Sequence, residues 1–352
     1  MQTLPFFTPN LPGCGGQLKA QPSHFVVEEI PLYEASGQGA HLYLSITREG
    51  WNTKRVADSL AKLYGINGKD VGYAGLKDRH ARSTQTFSLP GLAPSDADRI
   101  EEKLPFSVNW ARCHNNKLKV GHLLGNRFRI TVTDMDVPAD EALCRAQPIA
   151  TTLKQRGMPN FFGAQRFGTD GTNAARGREV LLGGGPHKDK WLRKLLISAY
   201  QSQLFNSYLT RRLERGLFDH LLLGDVAKKA DTGGMFDVED EEVEQPRYER
   251  GEIHFTGPIY GKKMWPAKKV AGELEREILE EAGLTEENWR RARTQGTRRP
   301  GRLWLPEISL GTGDSTLELA FFLPKGSYAT IVLREFTKNK SAAIIEKRYG
   351  KD

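Results

Sequence analysis

Lys77, Asp78, Arg79, His80, Arg82, Ser83, Thr84 and Gln85 crowd hydrogen-bonding and ionisable side chains into one short stretch of the chain. Strand-like apolar runs flank them, Val71 to Gly75 before and Thr86 to Leu89 after. Gly75 suits a turn or a close backbone approach, which puts Asp78 on a loop at the rim of a sheet. Loops held by a rigid scaffold are where catalytic groups collect. Cations on either side of Asp78 would keep its carboxylate ionised at neutral pH, the state a nucleophile or general base needs. Taken by itself, a Lys-Asp-Arg turn is more often plain exposed surface.

The elements that must position this loop can be read coarsely. Residues 126–133 alternate like a half-buried strand, with Asn126, Phe128, Ile130 and Val132 on one face. Apolar spacing from Trp191 to Leu213 predicts a helix that Gly216 would end. A second helix is expected from Gly272 to Ala282, and a third from a Thr285 cap to about Arg293. The acidic run Asp237 to Glu244 reads as a solvated loop or hairpin tip. Leu317–Phe322 and Tyr328–Phe336 have core-like composition, and no internal repeat stands out.

The chain has 352 residues, enough for about two domains. Its 51 basic and 43 acidic residues leave a net charge of +8 and a pI near 9.3, which favours a polyanionic partner. Candidate phosphate contacts are Arg166, Arg176, Arg178, Lys188, Lys190, Arg193, Arg298, Arg299 and Arg302. No apolar run approaches the ~20 residues of a membrane helix. The opening residues have no basic cluster and are broken by Pro5, unlike a signal peptide. Cys14, Cys113 and Cys144 are scattered, which argues for a reducing, cytoplasmic setting. No Cys-x-x-Cys or His-x-x-x-His spacing suggests a metal, and no phosphate-binding glycine loop occurs.

The segment around Asp78 resembles the signature of the TruD family of tRNA pseudouridine synthases, a Gly-x-Lys-Asp-Arg-x-Ala loop followed by a Gln. Further segments resemble the family in order. They are Lys19 with Phe25–Ile30, Gly39–Leu44, Trp51–Thr53, His114–Leu118, Gly121–Leu123, Gly125–Phe128, Asn160–Gly168, Thr256–Pro258, Arg298–Pro300 and Gly326–Glu335. Ser83 and Thr84 stand where the family has a Thr nearer the Ala.

That resemblance implies an α+β protein. Its pseudouridine synthase catalytic fold, a mixed and largely antiparallel sheet flanked by helices, would comprise residues 1–156 and 305–352. A family-specific α/β domain would be inserted at 157–304. It implies an isomerase converting uridine to pseudouridine, with position 13 of tRNA as the target. The reaction breaks a C–N glycosidic bond and rejoins the uracil through C5; it is redox-neutral and calls for no cofactor.

Asp78 is the catalytic carboxylate on this reading, either adding to the uracil or taking a ribose proton. Phe128 corresponds to the aromatic that stacks on the target base, and Asn126 to a hydrogen-bonding partner within the site. Lys19 is the candidate cation for Asp78 with Lys77 the rival, and Phe25 either packs beneath the loop or touches substrate. Arg166, Arg298 and Arg299 are the expected RNA contacts, tRNA is the partner, and a monomer suffices. Two other classes explain part of the pattern. A non-catalytic tRNA-binding protein would not need Asp78, and a uracil-releasing glycosylase would liberate free base.

Overall fold

The computed structural model describes residues 3–184 and 189–339, so Lys188 lies outside the described residues. These fall into two compact units.

One unit comprises Cys14–Gln147 and Glu307–Gly326. Its centre is a nine-stranded sheet. The main path runs Ser309–Gly313, Thr316–Pro324, Leu123–Met135, Phe25–Pro31, Arg82–Pro90, His41–Glu49, Ser107–His114. Phe25–Pro31 and Arg82–Pro90 are parallel, and every other pairing in the sheet is antiparallel. The alternation expected from Asn126 onward is present, since Phe128, Ile130 and Val132 are all buried. Behind His41–Glu49 and Arg82–Pro90 lies a core of Leu42, Leu44, Ile46, Phe87 and Leu89. The helix Thr53–Tyr64 closes it with Val56, Ala57, Leu60 and Ala61. Asn52 caps that helix by accepting from the Arg55 amide at 2.9 Å, and Gly65 ends it in the left-handed conformation.

The other unit draws on residues 1–13, 148–306 and 327–352. The helix Lys190–Glu214, capped by Asp189, packs on the strand Ile253–Ile259 of a four-stranded sheet. Helix Asn173–Leu182 crosses it so closely that a Cβ on Gly177 would lie 2.1 Å from the Leu196 carbonyl oxygen, so only glycine fits there. The two remaining helices expected in this region run Lys269–Glu281 and Glu286–Ala292.

Three expectations are corrected. The acidic run is no loop throughout: Asp240 caps a helix, Glu241–Glu249, whose first turn holds Glu241, Glu242 and Glu244. Carboxylates there complement the exposed amides of a helix start, so the charge run marked a helix N-terminus. Gly75 lies at a bend, as a turn residue would, but the close-approach alternative does not hold: a Cβ there would sit 3.5 Å from Glu29 Oε2 and Lys77 Nζ, an ordinary contact. The domain limits also shift. The N-terminal residues and the helix Ala329–Thr337 pack with the 148–306 unit instead of the Asp78-bearing one. There Phe7 meets Phe218 at 5.0 Å, and the Phe7 and Thr8 amides donate to the buried Glu335 carboxylate.

Candidate active site

Asp78 sits on the loop between the short strand Gly72–Tyr73 and Arg82–Pro90, which pair with each other through Tyr73 and Phe87. Its side chain is 43% exposed. Lys19 Nζ donates to Asp78 Oδ2 at 2.6 Å, and the His80 amide donates to Oδ1 at 3.2 Å. Partial burial pushes the carboxyl upward, but the charge and hydrogen bond of Lys19, with the His80 amide, outweigh it and hold Asp78 below its usual value. The group is therefore an ionised carboxylate at neutral pH that remains open to solvent.

Lys19 itself is almost wholly buried and has a φ of 60°, a conformation a lysine seldom adopts. Its ammonium lies 4.4 Å from the Phe25 ring centroid. Phe25 in turn meets Phe128 edge-on at 6.0 Å, and Phe128 stacks on Phe321 at 5.5 Å. Phe25, Phe128 and Phe321 come from three neighbouring strands of the sheet. They form an aromatic floor leading to the Lys19–Asp78 pair.

Lys77 takes a different partner from its neighbour Asp78. Its Nζ lies 2.9 Å from Glu29 Oε2 and donates to Asn126 Oδ1 at 2.5 Å. The rivalry between the two lysines is thus resolved in geometry: Lys19 faces Asp78, and Lys77 faces inward. Burial pulls the Lys77 ammonium below its usual range, while Glu29 opposes that shift.

Around this buried pair runs a network that the motif reading left without a role. Gln85 Nε2 donates to the Gly75 carbonyl at 2.6 Å, fixing the start of the loop. Gln85 Oε1 accepts from Arg48 at 2.7 Å and from Thr53 Oγ1 at 3.0 Å. Thr53 Oγ1 accepts from the Lys77 amide at 2.8 Å. Arg48 is 2% exposed, and burial pushes its guanidinium down to about 10 against the pull of Glu29. A charged side chain so deep in a sheet needs partners, and the Ser83 carbonyl and Gln85 supply them. The one sequence signal for this network was strand parity. Arg48 shares the buried face of its strand with Leu42, Leu44 and Ile46.

The expected RNA contacts divide. Arg166 and Arg299 lie over the Phe162 ring at 5.6 and 4.1 Å from its centroid. Arg166 donates to Ser198 and Ser202, and Arg299 to Asn160. Burial pushes the Arg299 guanidinium down to about 10; nearby Tyr328 opposes this and Arg166 adds to it.

Arg298 does not meet the expectation of a phosphate contact. It is 8% exposed, pairs with buried Glu275 at 2.6 Å and donates to Thr256, because strand alternation turns it away from the Arg299 face. Arg302 is likewise a packing residue, buried over the Tyr248 ring at 3.5 Å. Arg193 donates to the Ala292 carbonyl and Arg178 to that of Ala282.

Among the described residues no group of three or more His, Cys, Asp or Glu side chains is placed to hold a metal. No described helix is long and apolar enough to cross a membrane.

Similarity to known proteins agrees with this arrangement. The family model described as tRNA pseudouridine synthase D (TruD) matches residues 3–184 and 187–336. A protein from Anaeromyxobacter dehalogenans named tRNA pseudouridine synthase D is 42% identical over 350 residues, covering 97% of this chain and 98% of its own. One of the same name from Thermus thermophilus is 41% identical over 337 residues, covering 96% and 93%. A crystal structure from Methanosarcina mazei described as TruD superposes with a TM-score of 0.81 at 24% identity, covering 96% of this chain and 97% of that one. With the α+β fold, the ordered motifs and the Asp78 loop all in place, the chain belongs to the TruD family of tRNA pseudouridine synthases.

Proposed function

We propose that this protein isomerises uridine to pseudouridine in tRNA, at position 13, with Asp78 as the catalytic carboxylate. The observation that carries the reading is the Asp78 carboxylate itself: ionised, 43% exposed and pinned by Lys19 at 2.6 Å. Isomerisation breaks the C1′–N1 bond, forms C1′–C5, releases the C5 proton and leaves a proton on N1, with no net redox change. Asp78 supplies a lone pair, either to the uracil ring or to a ribose proton. Oδ1 is the freer oxygen, because its amide contact is longer than the charged contact to Oδ2.

The other residues act on that carboxylate or on the base. Lys19 holds Asp78 ionised and orients it. Phe128 and Phe25 give an apolar wall for the extruded uracil, and Asn126, held by Lys77, offers its amide to the base. Arg166 and Arg299, both beside the Phe162 ring, are suited to an RNA backbone or base face. The same reading takes the cytoplasm as the setting and a single chain as the working unit.

The test is Asp78→Asn, which keeps size but removes the charge. Tritium release from 5-tritiated uridine tRNA should fall at least ~10³-fold, the scale of losing a catalytic nucleophile. Filter binding of the tRNA should change little, since affinity comes mainly from phosphate contacts. Retention of a tenth or more of the turnover would move the catalytic assignment to another carboxylate. Mapping pseudouridine in tRNA from cells with and without the protein fixes the position.

A further inference from the structure

A cavity of about 170 Å³ opens on the Asp78-bearing unit, with Glu29 and Thr86 in its lining. Its walls include Tyr33, Tyr43, Trp110, Leu118 and His122, with Arg112 at the margin. None of these residues has a part in the isomerisation chemistry above. We propose that this cavity takes one unpaired nucleobase of the RNA substrate, a neighbour of the target uridine in the chain. The proposal rests on the tRNA reading given above and extends it to a second base subsite.

Size and wall chemistry argue for a single flat ring system. A cavity of about 150 Å³ already accepts a benzene ring. Sequence-reading proteins take unpaired bases by stacking them on aromatic side chains and hydrogen-bonding their edges. Here aromatic rings and polar tips occur together. The Tyr33 hydroxyl lies 2.7 Å from His122 Nδ1 and 3.4 Å from the Tyr43 hydroxyl, which donates to Asn116 Oδ1 at 3.2 Å. His114 stacks on Tyr33 at 5.2 Å and so stiffens that wall.

Charge favours the same occupant. Exposed Arg112 lies 5.9 Å from the Trp110 ring, and among the described residues no carboxylate pairs with it, so it is available to a phosphate. Exposed Glu34 on the rim would accept from an exocyclic amine.

Continuity with the catalytic residues sets the spacing. Glu29 lines the cavity and also binds Lys77, the residue next to Asp78. Glu29 and Pro31 line it four and six residues along the strand that begins at Phe25, about 13 and 20 Å at the usual rise per residue. That separation suits a base a few nucleotides from the uridine, read while the target occupies the Asp78 site.

The experiment pairs protein variants with altered RNA. Trp110→Ala, a half-exposed position, and Trp110→Phe, which keeps a stacking ring, are titrated by filter binding against a tRNA transcript. The same transcript is also made with a single abasic site at each of the three positions on either side of the target uridine. Trp110→Ala should weaken binding by about 5- to 100-fold, the scale of one stacked base, and Trp110→Phe should recover most of it. Maximal turnover at saturating tRNA should hold. At one abasic position the effect of Trp110→Ala should vanish, because the base it stacks on is already gone. Losses that add independently at all six positions, or an unchanged affinity in Trp110→Ala, would overturn the proposal. Binding is read apart from turnover, so wild-type protein that couples to one base without forming pseudouridine would remove the activity reading and leave the pocket standing.

Discussion

Glu29→Gln is the most discriminating perturbation of the buried framework under the Asp78 loop. Glu29 and Lys77 pair at 2.9 Å with side chains only 1% and 5% exposed. Removing one partner of such a pair leaves an uncompensated buried charge, a loss of about 3–5 kcal/mol. Glutamine keeps the shape and can still accept from the Thr86 amide and face Gln85, contacts of 3.3 and 3.4 Å in the native protein. The lower end, about 3 kcal/mol, is therefore expected. Against a total stability of about 5–15 kcal/mol that is a large fraction.

The loss should also depend on pH with a definite sign. Burial already lowers the Lys77 pKa, and Glu29 is what opposes it. In Glu29→Gln the folded state disfavours the Lys77 proton while the unfolded chain keeps it. Destabilisation is then complete at pH values below the lowered Lys77 pKa and shrinks as pH rises toward the ordinary lysine value. Adding Lys77→Met removes the stranded charge and should restore much of the stability. Urea unfolding followed by circular dichroism, at neutral pH and again near pH 9, measures all three proteins. A Glu29→Gln midpoint within the equivalent of ~1 kcal/mol of wild type, or no recovery on adding Lys77→Met, would refute the reasoning.

Lys19→Met should move the acidic limb of the pH–rate profile to higher pH. Burial then raises the Asp78 pKa against the His80 contacts alone, whereas in the native protein activity persists until pH falls through the lowered value. An unmoved limb in tritium-release rates would mean that Lys19 does not set the charge state of Asp78. Arg298→Ala should cost about 3–5 kcal/mol of stability in urea titrations yet leave the salt dependence of tRNA binding intact, since Arg298 is paired to Glu275 inside the fold. Arg299→Ala should do the converse, weakening tRNA binding and reducing its salt slope by about 1.

Periodicity along the chain determined much of the secondary structure here. The alternation from Asn126, the long helix through Leu204 and the capped turn at Thr285 are consequences of local spacing, so the chain itself carries them. The Asp78 loop was legible through its resemblance to a family signature; its residue types alone read as an exposed turn. Pairing across the fold was not legible. Lys19 and Lys77 are both plausible partners for Asp78 by sequence, and only the sheet decides between them. It places Glu29 and Asn126 opposite each other on neighbouring strands, and Lys77 joins both.

The same holds for the arginines. Arg298 and Arg299 are adjacent and chemically alike, yet strand alternation sends one into an ion pair with Glu275 and the other toward Phe162. Their difference is set by which face of a strand each occupies and what that face packs against. Arg48 shows the limit most plainly: its sequence neighbourhood looks like an ordinary strand, and its partners at Ser83 and Gln85 lie more than thirty residues away. A family signature in the sequence points to the carboxylate. Long-range contacts, formed only when distant strands meet, decide what holds it in place.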